Sequence, residues 1–521
     1  MFEPVQFRSE VEDLVRFIEE TDPDKVIEAT LAKLRSGTST EALMTANALA
    51  VARSTEVPPQ HHGGPLHPIC GIRAVHKVAQ RLPGDLSLIP VIQHTTLCNN
   101  HVHSPHMGPY LMPAIKPLQG SPGDVGSFHI SDELLTEGLE SAADNTVKNA
   151  DSVIETKGAF YKSLRAMEAP AAEQYCLWLL ERLTHGESLD LLLPLAIKRN
   201  NMDDHNFLYP VYTARALDCI GWEWASVLFR PAVRFQARRG SRIGVGSPLD
   251  YDWVEGLLED HKLLEIDIPT QSSPGESDRI GELGMHLGAS KSYFDTIEPM
   301  AEALAGGLSL QGAGEALSIG AAAAYLSTSY GNPMDSHLHT GTNGRRYLLS
   351  QDGVSLKNKL LGLLTGFTGP EVLLAERLMN WSCNIEPDAA ASLPKRSPER
   401  LLDAITESIE GQPFIDWRAV GVARVVAPDE VKATVALARQ YADLGYDPGA
   451  YFDRLAEIAC RDDYTEMHSM KHFQAIVDEY YNTREAYRWL HMVSAAKSAA
   501  IIHVGREHSV YHQTKELLAA A

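Results

Sequence analysis

Eight of the 21 histidines in this 521-residue chain fall between His61 and His106, where an even spread would place about two. They are His61, His62, His67, His76, His94, His101, His103 and His106. Neutral imidazole is the commonest protein ligand for zinc, iron, copper and nickel. Two rings aim at one point most readily when they stand four apart on a helix or two apart in extended chain. Both spacings recur: His468/His472 and His508/His512 have the first, His101/His103 and His337/His339 the second. A bare pair arises easily by accident among so many histidines, so the weight falls on pairs beside acids and at helix starts.

Three groups meet that description. Asp203, Asp204 and His205 form one, Asp335, His337 and His339 another, and Glu466 stands just ahead of His468. A carboxylate there can complete a two-histidine, one-carboxylate site or orient a ring from behind. Asp204 and Asp335 are equally placed to cap helices. The loop HHGGPLHP (61–68) adds His61, His62 and His67 around Gly63-Gly64-Pro65, a turn able to bring backbone close to a ligand, with Pro68 suited to a first helical turn. A second loop, CNNHVHSPH (98–106), together with Gln93 and His94 offers amide and imidazole donors for a polar substrate. The expected metal ligands are a subset of His61, His62, His67, His205, His337, His339, His468 and His472. Asn100 and His103 are expected to orient substrate, and Asp204 and Glu466 to tune the ion or move protons.

Other chemistries lose ground. There is no HExxH, no His-Asp doublet, no GxSxG, and neither a Walker A loop nor GxGxxG, which argues against zincins, metal phosphohydrolases, serine hydrolases and a Rossmann-bound nucleotide. NAD(P)H remains conceivable only as a diffusing co-reductant. Six scattered cysteines without a CxxC pair suggest neither a disulfide framework nor a thiolate zinc knot. A formal charge of −22 disfavours nucleic acid, and the basic run Arg234 to Arg242 reads as a solvated loop. The N-terminus is acidic and amphipathic, unlike a secretory signal, and no window has the roughly 20 uninterrupted apolar residues that cross a bilayer, so the expectation is a soluble, cytoplasmic protein.

The elements that must hold these residues are helical. Apolar groups recur at 3.6-type spacing from Val11 to Ile18 and from Val26 to Leu34, with a break at Thr21-Asp-Pro-Asp, and the same pattern runs through most of the chain to about residue 504. Only Ser87–Gln93 and Gly421–Pro428 read as short strands. The sequence predicts an all-α protein of antiparallel helix pairs, one large helical-repeat-like domain being its simplest form. Its expected regions are a hairpin over 1–60, a histidine-rich loop and helix over 61–130, and a helical body over 131–521 with a surface excursion near 267–278. The Pro/Gly-rich 104–127 is expected to wrap a site. The cluster Tyr209, Tyr212, Trp222 and Trp224 reads as helix packing.

The histidine-led phrases HNFLYPVYTARAL, HTGTNGRRYLL and MHSMKHFQAIVDEYYNTREAYRWLHMVSAAKSAAIIHVG resemble the questin oxidase-like family over roughly the last three fifths of the chain. That resemblance implies an α-helical oxidase using O2 and NADPH, with His205, His337, His339, His468 and His472 as the positions of interest. The sequence reading is therefore a metal-dependent oxidoreductase, a monooxygenase-like iron enzyme acting on a small molecule. A zinc-type hydrolase or lyase, in which the ion acidifies a bound water, is the second reading, and a helical scaffold with incidental histidines the third. A homodimer is compatible with all three.

Overall fold

The computed structural model describes residues 3–56, 64–107, 110–115, 118, 147–200, 204–237, 251–290, 292, 294–327, 336–367, 390–411, 428–462, 466–502 and 510–520. Helices account for nearly all of the regular structure there. A single isolated bridge, Pro4 to Pro113, is the one β contact among the described residues. The all-α expectation holds.

One continuous set of buried apolar side chains runs from Val15 through Ile69, Phe207 and Tyr325 to Tyr511, so all three sequence regions share a core. The expected hairpin appears as helices Ser9–Glu20 and Val26–Arg35, with Asp22 accepting from the Asp24 N–H in the break. The run Ser87–Gln93 is not a strand. Gly84–Leu88 forms a 3-10 turn and Ile89–Val102 a helix, in which Pro90 falls in the first turn, where a missing N–H costs nothing. Gly421–Ala427 lies outside the described residues.

Five helices matter for the site: Leu66–Arg81, Ile89–Val102, His205–Ile220, His337–Leu349 and His468–Asn482. The first packs against the second, the third and the fifth, and the fourth packs against the third and the fifth. Behind them lie Leu310–Ser327 and Arg488–Ile502, which cover His337–Leu349 and His468–Asn482. Small residues permit the tightest of these contacts. A Cβ on Gly288 would sit 2.6 Å from that of Ala323, so only glycine lets Ser277–Ala289 lie so close to Leu310–Ser327.

The expected loop over a site at 104–127 takes another course in its described part. Met112 donates its N–H to the Arg53 carbonyl and accepts from the Val5 N–H, tying the segment to the N-terminal strip. In the excursion near 267–278, Glu276 is drawn inward, accepting from the N–H groups of Ser273 and Ser309. No described helix is long and apolar enough to cross a membrane.

Candidate metal centre

His67, His205 and His468 come together in the core. One donor atom from each lies within 4.8 Å of the other two, and all three residues are buried. The ring centroids of His67 stand 4.8 Å from His205 and 4.7 Å from His468. His337 joins from a fourth helix, 5.1 Å from His205 and 5.2 Å from His468, its ring edge-on to both. Tyr209, one turn after His205, stacks on that imidazole at 4.9 Å and meets Phe235 edge-on at 4.8 Å.

Local sequence explains how four distant histidines meet. His205, His337 and His468 are each the first residue of a helix, and His67 is the second residue of its own. A first-turn side chain extends past the helix end, so four helices pointing inward deliver four rings to one place. Two of these entries are strained. Asp204 (φ 53°) and Met467 (φ 69°), the residues just before His205 and His468, are left-handed without being glycine, and so is Glu466 (φ 50°). Such conformations cost about 1–2 kcal/mol each and persist only where surroundings fix them.

For Asp204 the fixing group is Arg345. Its guanidinium grips the buried carboxylate with two bonds of 2.6 and 3.0 Å, while its Nε donates to the Gly362 carbonyl. Gly341 makes room, since a Cβ there would lie 2.5 Å from Asp204 Oδ2. The carboxylate also accepts from Asn200. Asp204 therefore neither caps its helix through its side chain nor offers a base; both expectations are corrected. It anchors the backbone that presents His205.

Burial keeps His67 neutral. The His67 imidazole is held well below its ordinary range, first by desolvation and then by Lys471, His468, His205 and His337. Its Nδ1 lies 3.2 Å from Lys471 Nζ and 3.6 Å from Glu466 Oε2. The other Glu466 oxygen is 3.5 Å from Nε2 of the buried His101. Glu466 thus reaches the site from behind His67, where a carboxylate orients a ligating ring. Lys471 is pushed down to about 8, chiefly by desolvation, with Cys70 and Glu466 opposing. The Cys70 thiol is itself pushed up to about 12 by burial and stays protonated.

Other expected residues lie elsewhere. His339 and His472 form a separate buried pair, Nδ1 of the first 3.0 Å from Nε2 of the second, and His472 Nδ1 is engaged by Ser498 at 3.1 Å. Both nitrogens of His472 are occupied, which corrects its assignment as a ligand. Tyr325 packs edge-on to both rings, and burial holds both imidazoles well below their usual range. The i,i+4 spacing of His468 and His472 put the two rings on one helix face, but they serve different clusters.

Asn100 and His103 are exposed at the end of Ile89–Val102, and His103 Nδ1 lies 2.9 Å from the Asn99 carbonyl, a helix-end contact that corrects their substrate roles. His94 is structural as well. Its Nε2 pairs with the Pro68 carbonyl at 3.0 Å and its Nδ1 with Asn47 at 3.2 Å, buttressing the helix that carries His67. His61 and His62 lie outside the described residues, as do Asp203 and Asp335.

Three residues were missed: Lys471, Arg345 and, noted only for its spacing with His103, His101. Lys471 had a legible signal, because it stands three residues after His468 and so shares its helix face. Arg345 had none, being 141 residues from Asp204. No protein-family model, no curated protein and no solved structure matches the chain.

Proposed function

We propose that this protein is a metal-dependent enzyme whose single transition-metal ion is bound by His67, His205 and His468. The observation that carries the reading is the buried group of three imidazoles, drawn from three distant helices, with donor atoms within 4.8 Å of each other. Imidazole donors gathered this closely in a buried place suit a group that takes up their lone pairs. A divalent ion does so and gathers the nitrogens inward to about 2.0–2.1 Å each. Three protein ligands leave open positions for substrate, the arrangement of a catalytic rather than a structural ion. His337 stands ready as a fourth contact or as a wall of the open side. Glu466 and Lys471 set the orientation and basicity of His67.

The leading reaction class is oxidoreduction of a small organic molecule with iron as the ion, O2 as oxidant and a diffusing NAD(P)H as the electron source. The tyrosine, phenylalanine and histidine rings around the group support it by keeping bulk water from a redox centre. Zinc-type hydrolysis or lyase chemistry has one specific observation in its favour: the three grouped donors are all imidazoles, a set that suits zinc as well as iron, whereas the carboxylate expected of an iron site stands behind His67.

Metal analysis of protein expressed in supplemented medium tests the proposal. The expected result is about one equivalent of a transition metal, lost in His67→Ala, His205→Ala and His468→Ala but kept in His472→Ala. Fewer than about 0.2 equivalents in the wild type overturns it. Colour and a redox-sensitive spectrum select iron; a silent spectrum with full occupancy selects zinc.

A further inference from the structure

Three helices meet around a small cavity: Pro448–Ala459, His468–Asn482 and Arg488–Ile502. Protein interiors keep few voids larger than a water molecule. This one exists because part of its wall is short. Ala495 and Ala499, one turn apart on Arg488–Ile502, leave open the space between themselves and the larger Leu455, Ile458 and Phe473, and all five are at most 8% exposed. The centre of a small molecule has about 10 Å³ in which to move, room for one occupant of about one or two heavy atoms.

The lining decides what that occupant can be. Among the described residues no charged side chain takes part, and the polar side chains are Ser469 and Ser498. Both hydroxyls are already engaged, Ser469 donating to Asp462 Oδ2 and Ser498 pairing with His472 Nδ1 at 3.1 Å. An ordered buried water takes about three hydrogen bonds, and two committed hydroxyls do not supply them. Apolar cavities in protein cores stay dry and take up small uncharged molecules such as xenon. Charge excludes a carboxylate here, and size excludes an aromatic ring.

The cavity also lies beside the candidate metal centre. Ser469 directly follows His468, and Phe473 stands one turn further along the same helix. Ser498 contacts His472, whose Nε2 is 3.0 Å from His339 Nδ1 on the helix that His337 opens.

We propose that this cavity is a dioxygen site, which holds the oxidant against the helix that presents His468. Dioxygen is a diatomic without charge or strong hydrogen-bonding groups, so it matches the size and the lining together. The proposal rests on the oxidoreductase reading, the one that consumes O2, and makes the cavity the place where that substrate collects before it reaches the ion.

The probe is dioxygen itself, whose paramagnetism speeds the relaxation of methyl groups near it. Methyl-labelled full-length protein is compared under oxygen and under nitrogen, with zinc supplied so that no paramagnetic ion contributes. The methyls of Leu455, Ile458, Ala495 and Ala499 should gain at least about threefold more relaxation than those of Ile18 and Leu49, which are as deeply buried but line no such cavity. Ala495→Leu and Ala499→Leu each fill the space and should bring Ile458 down to the level of Ile18. An equal gain at all these methyls, a gain at Ile458 that survives both substitutions, or a magnetisation transfer from a long-lived water to the Ala495 methyl each overturns the proposal. The comparison among wild-type methyls decides even if the variants fail to fold. Zinc need not bind for it to be read, so a protein without metal sinks the metal reading alone, and an unoccupied cavity sinks this one alone.

Discussion

Acid should unfold this protein by protonating its buried imidazoles, and the size of the effect follows from their number. His94 is held down to about 4 and His491 to about 3, both chiefly by desolvation, and His67, His339 and His472 lie well below their ordinary value. A histidine whose folded value is depressed costs nothing above the unfolded value near 6.5. Below that pH the unfolded chain binds a proton that the folded chain refuses, so stability falls as pH drops, until the folded value is passed. At pH 5.5 each unfolded imidazole is about 0.9 protonated, so five of them take up about 4.5 protons on unfolding, a slope of roughly 6 kcal/mol per pH unit. Against a total stability of about 5–15 kcal/mol, that should bring unfolding within about one to two pH units below 6.5.

Proton uptake can be measured directly with a pH-stat while the metal-free protein is unfolded by heat at pH 5.5, which needs no two-state assumption. His94→Gln and His491→Gln should each lower the uptake by about 0.9 proton. An uptake below about two protons in the wild type, or no loss in either variant, would refute the reasoning. It would mean that these imidazoles are protonated or hydrated in the folded chain.

Further outcomes follow from single contacts. Arg345→Met should destabilise the protein by about 3–5 kcal/mol, because it leaves the Asp204 carboxylate buried without its cation; chemical denaturation measures it, and a loss under about 1 kcal/mol would contradict the anchor role. Gly341→Ala should cost about 1–3 kcal/mol by driving a methyl into Asp204 Oδ2, and the loss in the double variant with Asp204→Ala should be smaller than the sum of the two single losses, strict additivity counting against the contact. Glu466→Gln should weaken metal binding about 10–100-fold through the loss of the charge behind His67, read by competition with a chelator; unchanged affinity would remove Glu466 from the site.

Periodicity of apolar residues settled the all-α class, because a helical stripe must be buried against other helices whatever their order. The same pattern misread Ser87–Gln93, where β-branched residues and a proline suggest a strand when viewed locally. Tertiary packing overrides that preference, and proline is harmless in a first helical turn. The tendency of histidines to open helices was also visible, and it is why His67, His205, His337 and His468 could be singled out. Spacing along one helix, however, cannot say which cluster a ring joins: His468 and His472 share a face and part company at the neighbouring helices. Nor could sequence find Arg345 for Asp204, or distinguish exposed His103 from buried His101 two residues before it. Those outcomes depend on which helix ends converge, and convergence is set by contacts between residues hundreds of positions apart, on which local propensity has no bearing.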